Sequence, residues 1–196
     1  MIFIRELEQR ILAEGRILPG EVLKVGSFLN QQIDTQLLKD MGEEIARLFK
    51  SNNVTKVLTI ESSGIAIAFA AGLAMGLPVV FAKKHSTSNL SGDVLSAKVF
   101  SYTHQQTYDV VVSADYITSD DTVLIVDDFL AKGNALAGLI EIVNKADAKL
   151  AGCAIAIEKG FQGGGDKLRE QGIRVESLAI IDKMTDDSLE FRPQPV

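Results

Sequence analysis

The sequence predicts an α/β fold built on a mostly parallel central sheet. Strand-like runs recur at Val54–Ile60, Thr122–Val126 and Leu150–Ile157. Each run leads through a short polar or glycine-bearing loop into a helical pattern, the rhythm of a βαβ chain. Leu150–Ile157 is apolar throughout, as expected of a strand covered on both faces.

Taken in order, residues 2–14 read as a helix, with Ile2, Phe3, Leu7, Ile11 and Leu12 at helical spacing. Gly15 ends it, and Pro19-Gly20 makes a turn. Glu21–Gln32 has mixed periodicity, which leaves a short strand and an edge loop both open. Asp34 is the predicted N-cap of a helix running to Lys50, whose buried face is Leu37, Leu38, Met41, Ile45, Leu48 and Phe49. Strand Val54–Ile60, the tight loop Glu61–Gly64, helix Ile65–Met75 and strand Pro78–Ala82 make one βαβ unit with a right-handed crossover.

Lys83–Asp93 is polar loop, and Val94–Thr103 with Tyr108–Ala114 form a hairpin-like excursion. An insertion of this kind, spanning about residues 83–114, has the form of a mobile lid. The βαβ rhythm returns at Thr122, with a strand ending at Asp127-Asp128 and a helix over Asn134–Ala146. After Leu150–Ile157, Gly163–Gly165 reads as a flexible loop and Asp166–Gln171 as a short helix. Val175–Ile181 reads as a core strand and Leu189–Arg192 as an edge strand.

Bulk properties narrow the function classes. The 196 residues suit one domain with a real core. The net charge is −6 with no basic run, which argues against a nucleic-acid surface. Cys153 stands alone within an apolar run, so it reads as a buried structural thiol in a reducing compartment. The charged N-terminus (Arg5, Glu6, Glu8, Arg10, Glu14) is not a signal peptide. Gly64–Ala82 is uncharged and nearly long enough to span a membrane, but it is mostly Ala and Gly and is broken at Gly76-Leu77-Pro78. The expectation is a cytoplasmic protein with no membrane contact. His85, His104 and Cys153 lack zinc-ligand spacing.

The chemistry concentrates in Val123–Ala135. An apolar strand runs into two adjacent carboxylates, Asp127 and Asp128, and then into the small-residue loop Ala131-Lys132-Gly133-Asn134-Ala135 before a helix. The acids suit sugar hydroxyls or a metal. The loop and helix start suit a phosphate, through backbone N–H groups and about half a positive charge. The loop is neither a Walker A sequence nor a three-glycine dinucleotide fingerprint.

This arrangement resembles the signature of the type I phosphoribosyltransferases, which bind phosphoribosyl diphosphate (PRPP). Leu23–Gln32, Thr59–Ile65, Val79–His85 and Ile157–Phe161 extend the resemblance along nearly the whole chain, toward the xanthine-using bacterial members. The resemblance implies a type I phosphoribosyltransferase-like α/β domain over 1–196, with an N-terminal hood within about 1–32 and a mobile lid hairpin. It implies a pentosyltransferase that moves the phosphoribosyl group of PRPP to xanthine in purine salvage, with Mg2+ bound through the substrate and not directly by protein ligands. It also implies a homodimer. Asp127 and Asp128 would hold the ribose hydroxyls and stabilise an oxocarbenium-like transition state, and residues 131–135 would hold the 5-phosphate. Glu61, Ser62, Ser63 and Gly64 would hold the diphosphate. Leu23, Asn30 and Lys159 would contact the base, with Phe129 or Phe161 stacking on it. Lys83, Lys84 and Tyr102 would belong to the lid.

Two positions depart from the family pattern. Ala131 stands where many oxopurine relatives carry an aspartate near purine N7, and Lys132 stands where many carry Thr or Ser. The rival readings are a hypoxanthine/guanine or adenine enzyme, and a non-catalytic purine-sensing regulator. The regulator would need a DNA-binding domain ahead of a hood that only about twenty residues precede.

Overall fold

The structure, a computed structural model, describes residues 2–84, 93–101 and 106–194. Helix α1 (Ile2–Glu14) buries Leu7 and Ile11, and Gly15 stops it by turning its N–H back onto the Ile11 carbonyl at 2.8 Å. Strands β1 (Arg16–Leu18) and β2 (Val22–Lys24) then pair antiparallel. A single π-helical turn over Gly26–Asn30 follows, burying Phe28 and Leu29. The stretch without clean periodicity is therefore a short strand followed by a π turn. Helix α2 (Thr35–Leu48) starts as expected: the Asp34 carboxylate accepts from the backbone N–H groups of Gln36 and Leu37, both at 3.1 Å. These bonds, with that from Arg10, hold the Asp34 carboxyl below the usual range against the opposing effect of burial, the Leu37 bond being the largest influence.

The main sheet has six strands in the order β10-β9-β8-β7-β3-β4. They are β3 (Lys56–Ile60), β4 (Val79–Ala82), β7 (Thr122–Leu130), β8 (Lys149–Lys159), β9 (Val175–Met184) and the antiparallel edge strand β10 (Leu189–Phe191). The other pairings are all parallel. Successive side chains of β7 point to opposite faces. Leu124 and Val126 join α1, α2 and α3 (Gly64–Met75) in one core, while Val123 and Ile125 join α4 (Asn134–Lys145) in the other. Two covered faces explain the continuous apolar runs of the central strands.

Between β4 and β7 the chain forms an antiparallel hairpin, β5 (Val94–Ser101) and β6 (Gln106–Ser113). Its inner face is core: Ala97, Val99, Val110 and Val112 are buried with Leu136 and Leu139 of α4. Gly138 permits this approach, because a Cβ there would overlap the Val99 methyl. The expectation of a mobile lid over 83–114 is thereby narrowed, since the base of the excursion is a packed wall. Tyr102 lies outside the described residues.

Two sequence readings are corrected. Gly164 and Gly165 open helix α5 (Gly164–Glu170), and only Gly163, at φ +73°, serves as the turn. Strand β7 does not end at Asp127-Asp128 but continues to Leu130, because β8 runs on beside it, pairing Phe129 with Ile157 and Leu130 with Glu158.

Candidate active site

The sheet reverses its direction of winding between β3 and β7. From β3 the chain steps outward to β4, then returns to β7 and proceeds the other way through β8 and β9. A crevice opens outside the C-terminal ends of the strands at such a switch point, and ligands bind there. Pairing of β3 with β7 stops at Leu58–Ile125, so the acidic end of β7 borders this crevice.

Asp127 and Asp128 are 5% and 9% exposed, buried within the strand instead of standing solvated at its tip. The Asp128 N–H donates to the Asp127 carboxylate at 2.9 Å. Burial first, and the neighbouring Asp128 charge second, push the Asp127 carboxyl well above the usual carboxylate range, and Lys84 partly offsets this. The Asp127 carboxylate lies against Gly64, where a Cβ would meet both it and the Thr59 hydroxyl. That hydroxyl is buried and has no hydrogen-bond partner among the described residues. Thr59, Gly64 and Asp127 therefore bring the ends of β3 and β7 together around a polar spot.

The loop Glu61–Gly64 joins β3 to α3 at the crevice. Its Glu61–Ser62 peptide is cis. The Glu61 carboxylate accepts from the Lys84 backbone N–H at 2.8 Å, tying the loop to the chain just after β4, where the neighbouring Lys83 bridges to Val111 of the hairpin. Lys84 itself reaches over the Tyr108 ring, 5.9 Å from its centre.

Beyond β7, residues 131–133 turn back over the sheet edge and α4 begins. Gly133 holds φ +87° at the N-cap, a conformation that suits glycine, and no side chain caps the helix. The first-turn N–H groups thus lack a side-chain acceptor, which leaves them suited to an anion. Asn134 is turned aside to donate to the Phe100 carbonyl at 2.9 Å, and this bond ties the hairpin to the helix start.

A cavity of about 420 Å³ lies at the loop after β7. The whole stretch Phe129–Leu136 lines it, together with Val99, Phe100 and Tyr108 from the hairpin, Gly20–Val22 from the hood turn, and Lys159 and Gln162. Lys159, at the end of β8, is half-buried, and its ammonium lies 5.9 Å from the centre of the Phe129 ring. Burial lowers its pKa, and the Glu21 charge opposes that shift.

The residues expected to form a site are only partly gathered. Phe129, residues 131–135 and Lys159 share the cavity, and Asp127, Asp128 and Glu61–Gly64 border the crevice beside it. Leu23 and Asn30 do not line the cavity: the Leu23 side chain is core, and Asn30 is exposed on the π turn. Phe161 packs against the core beneath the sheet edge. Among the cavity residues that sequence reasoning missed are three with polar side chains, Glu21, Tyr108 and Gln162. Tyr108 carried the one available signal, an aromatic on the strand that returns toward the site.

Among the described residues no cluster of three or more His, Cys, Asp or Glu side chains could hold a metal, and no helix is long and apolar enough to cross a membrane.

Comparison with known proteins agrees with this geometry. The chain is 48% identical over 188 residues to the xanthine phosphoribosyltransferase of Oceanobacillus iheyensis, covering 96% of this chain and 97% of the relative. It is 50% identical to that of Lactiplantibacillus plantarum over 188 residues, covering 96% of each. The fold is similar to the APRTase of Giardia lamblia, crystallised with 9-deazaadenine, at a TM-score of 0.75 and 22% identity over 90% of this chain and 96% of that one. The adenine phosphoribosyltransferase of Rhodothermus marinus gives a TM-score of 0.73 at 22% identity, over 92% and 99% of the two chains. The phosphoribosyl transferase domain matches residues 26–183, a span that takes in β3, β7, β8 and every loop they carry at the crevice; the chain belongs to that family.

Proposed function

We propose that this transferase moves the 5-phosphoribosyl group of PRPP to xanthine, releasing diphosphate and xanthosine 5'-monophosphate in purine salvage. The observation that carries the reading is the cavity itself, which has an anion-ready helix start on one wall and a donor-only lysine on another. An ammonium donates and cannot accept, so Lys159 suits the oxo edge of a purine and disfavours the exocyclic amine of adenine. Near half-identity over almost the full length to relatives named for xanthine supports the choice of base.

In this reading residues 131–135 hold the 5-phosphate and Glu61–Gly64 the diphosphate. Asp127 and Asp128 hold the ribose hydroxyls and stabilise positive charge on the ribose in the transition state. Phe129, beneath the Lys159 ammonium, faces the base. Leu23 and Asn30 belong to the hood that covers it, Lys83, Lys84 and Tyr102 serve the lid, and Phe161 supports the site from the core. The buried acid pair and the Thr59 hydroxyl, which has no partner among the described residues, suit the sugar hydroxyls; PRPP would bring Mg2+, which would take no direct ligand from the protein. Bound through the substrate, it would neutralise the diphosphate as that group departs. Ala131 carries no acid, so the base must lose its proton elsewhere, and the acidity of xanthine eases that loss.

The reading takes 1–196 as one cytoplasmic catalytic unit acting as a homodimer. Phe69 and Leu73 of α3, at 60% and 73% exposed, and Phe81 of the edge strand β4 give apolar surface for a second copy. Sedimentation checks the dimer. Steady-state assays of diphosphate release with xanthine, guanine, hypoxanthine and adenine test the activity: xanthine should give the highest kcat/KM, and faster turnover of adenine would reject the assignment.

A further inference from the structure

We propose that Glu158 and Arg169 are positioning residues for the phosphate loop, acting on it through the first turn of α5. The inference rests on the reading of residues 131–135 as the 5-phosphate site.

Glu158 is fully buried near the end of β8, where it pairs with Leu130 of β7, the residue from which the loop departs. Its carboxylate is clasped by both terminal nitrogens of Arg169, at 2.9 and 2.7 Å, and also accepts from the Ser177 hydroxyl. A carboxylate removed from water needs such a bidentate partner, and the forked geometry fixes direction as well as distance. Arg169 lies on α5, so the pair pins that short helix to the sheet. The pin is extended: Arg169 also reaches Asp166 at 3.1 Å, and Arg192 binds Asp166 at 2.8 and 3.0 Å and Asp182 at 2.7 Å.

Two consecutive glycines carry the constraint from this ion pair to the loop. A Cβ at Gly165 would overlap the Glu158 carboxylate and crowd Arg169, so that residue sits directly on the pair. A Cβ at Gly164 would overlap the Ala131 carbonyl oxygen, the Lys132 carbonyl carbon and the Gly133 nitrogen. The first turn of α5 is thus a wedge, with the buried ion pair behind one glycine and the backbone of residues 131–133 in front of the other. At Gly164 main chain presses on main chain, and at Gly165 main chain presses on the Glu158 carboxylate, with no Cβ between to absorb a shift. The loop must aim its N–H groups at one phosphate, and a displacement of about 1 Å in such an arrangement costs on the order of a hundredfold in rate.

Two inhibitors separate positioning from general loosening. Ribose 5-phosphate probes the loop, and inorganic diphosphate probes the Glu61–Gly64 side. Gly164→Ala should raise the Ki of ribose 5-phosphate about tenfold while the Ki of diphosphate and the KM of xanthine stay within about twofold. Arg169→Lys keeps the charge but loses the fork, and should show the same split with a smaller shift. Both variants are checked for folding by circular dichroism and Tm, and Arg169→Lys carries the test where Gly164→Ala does not fold. An unchanged Ki for ribose 5-phosphate in a folded variant overturns the inference, as does equal weakening of both inhibitors. A wild-type enzyme that ribose 5-phosphate does not inhibit overturns the reading of the loop itself, and with it the inference.

Discussion

The Lys159 ammonium donates to the backbone carbonyl of Glu21 across the mouth of the cavity, at 2.6 Å. These residues are 138 positions apart, and the bond joins the hood turn to the end of the sheet. It fixes where the lysine's remaining protons point.

Replacing Lys159 with Gln keeps a donor for Glu21 but removes the charge and adds an acceptor. A hydrogen bond to a charged group contributes about 1.5–3 kcal/mol, so kcat/KM for xanthine should fall roughly 10- to 150-fold. The KM for PRPP should change little. Burial favours the neutral amine and lowers the Lys159 pKa, so the positive charge is lost on the alkaline side earlier than for a free lysine. Lys159→Arg should therefore retain its charge through that range. A larger effect on PRPP than on xanthine would move Lys159 out of the base wall.

Asp127 should behave oppositely for stability and for activity. Its folded-state pKa is raised, so the native state binds a proton more tightly than the unfolded chain does. Stability then falls as pH rises from the ordinary carboxylate range through the raised pKa. Asp127→Asn removes that penalty. The variant should melt higher than wild type at pH 8, with the difference shrinking toward pH 4, and should lose most of its kcat. Paired thermal melts and assays across pH check both halves. An unchanged kcat would remove Asp127 from transition-state stabilisation.

The βαβ order was legible because buried parallel strands leave continuous apolar runs, and the N-cap at Asp34 because capping is local. The depth of the acid pair was not. Whether a carboxylate stands at a strand end or inside the strand depends on how far the neighbouring strand continues, and β8 outruns the point where β3 lets go of β7. Gly164 and Gly165 were misread as loop for a similar reason. Glycine signals flexibility locally, but here it permits contact with Ala131 and Glu158, which sequence does not bring near. Glu21 and Gln162 were invisible because their meeting needs the hood to fold over the sheet.

Gly138 tests whether the hairpin is a packed wall. Alanine in a helix gains about 1 kcal/mol over glycine. Against this, the added Cβ would overlap a methyl of Val99, which is 2% exposed and stiff at χ1. Overpacking of this kind costs about 1–3 kcal/mol and should win. Gly138→Ala should lower Tm, and adding Val99→Ala should recover part of the loss. A rise in Tm from the single change would mean that the hairpin yields freely.

Glu21 offers the sharpest test of the hood. It sits at φ +61°, and its carboxylate accepts from the Gln162 amide at 2.7 Å. A left-handed conformation costs an ordinary residue about 1–2 kcal/mol relative to glycine, while a solvent-screened hydrogen bond to the carboxylate returns about 0.5–1.5 kcal/mol. Glu21→Ala loses the bond and keeps the backbone cost. Glu21→Gly loses the bond and removes that cost, at the expense of a more flexible turn. If the backbone conformation dominates, Ala should raise the KM for xanthine several-fold and Gly much less, with the KM for PRPP unchanged in both. Gln162→Leu, which removes only the bond, should match the part of the Ala effect that the carboxylate supplies. Should Gly prove worse than Ala, the turn is held by its rigidity, and the latch through Lys159 alone cannot keep the hood over the base.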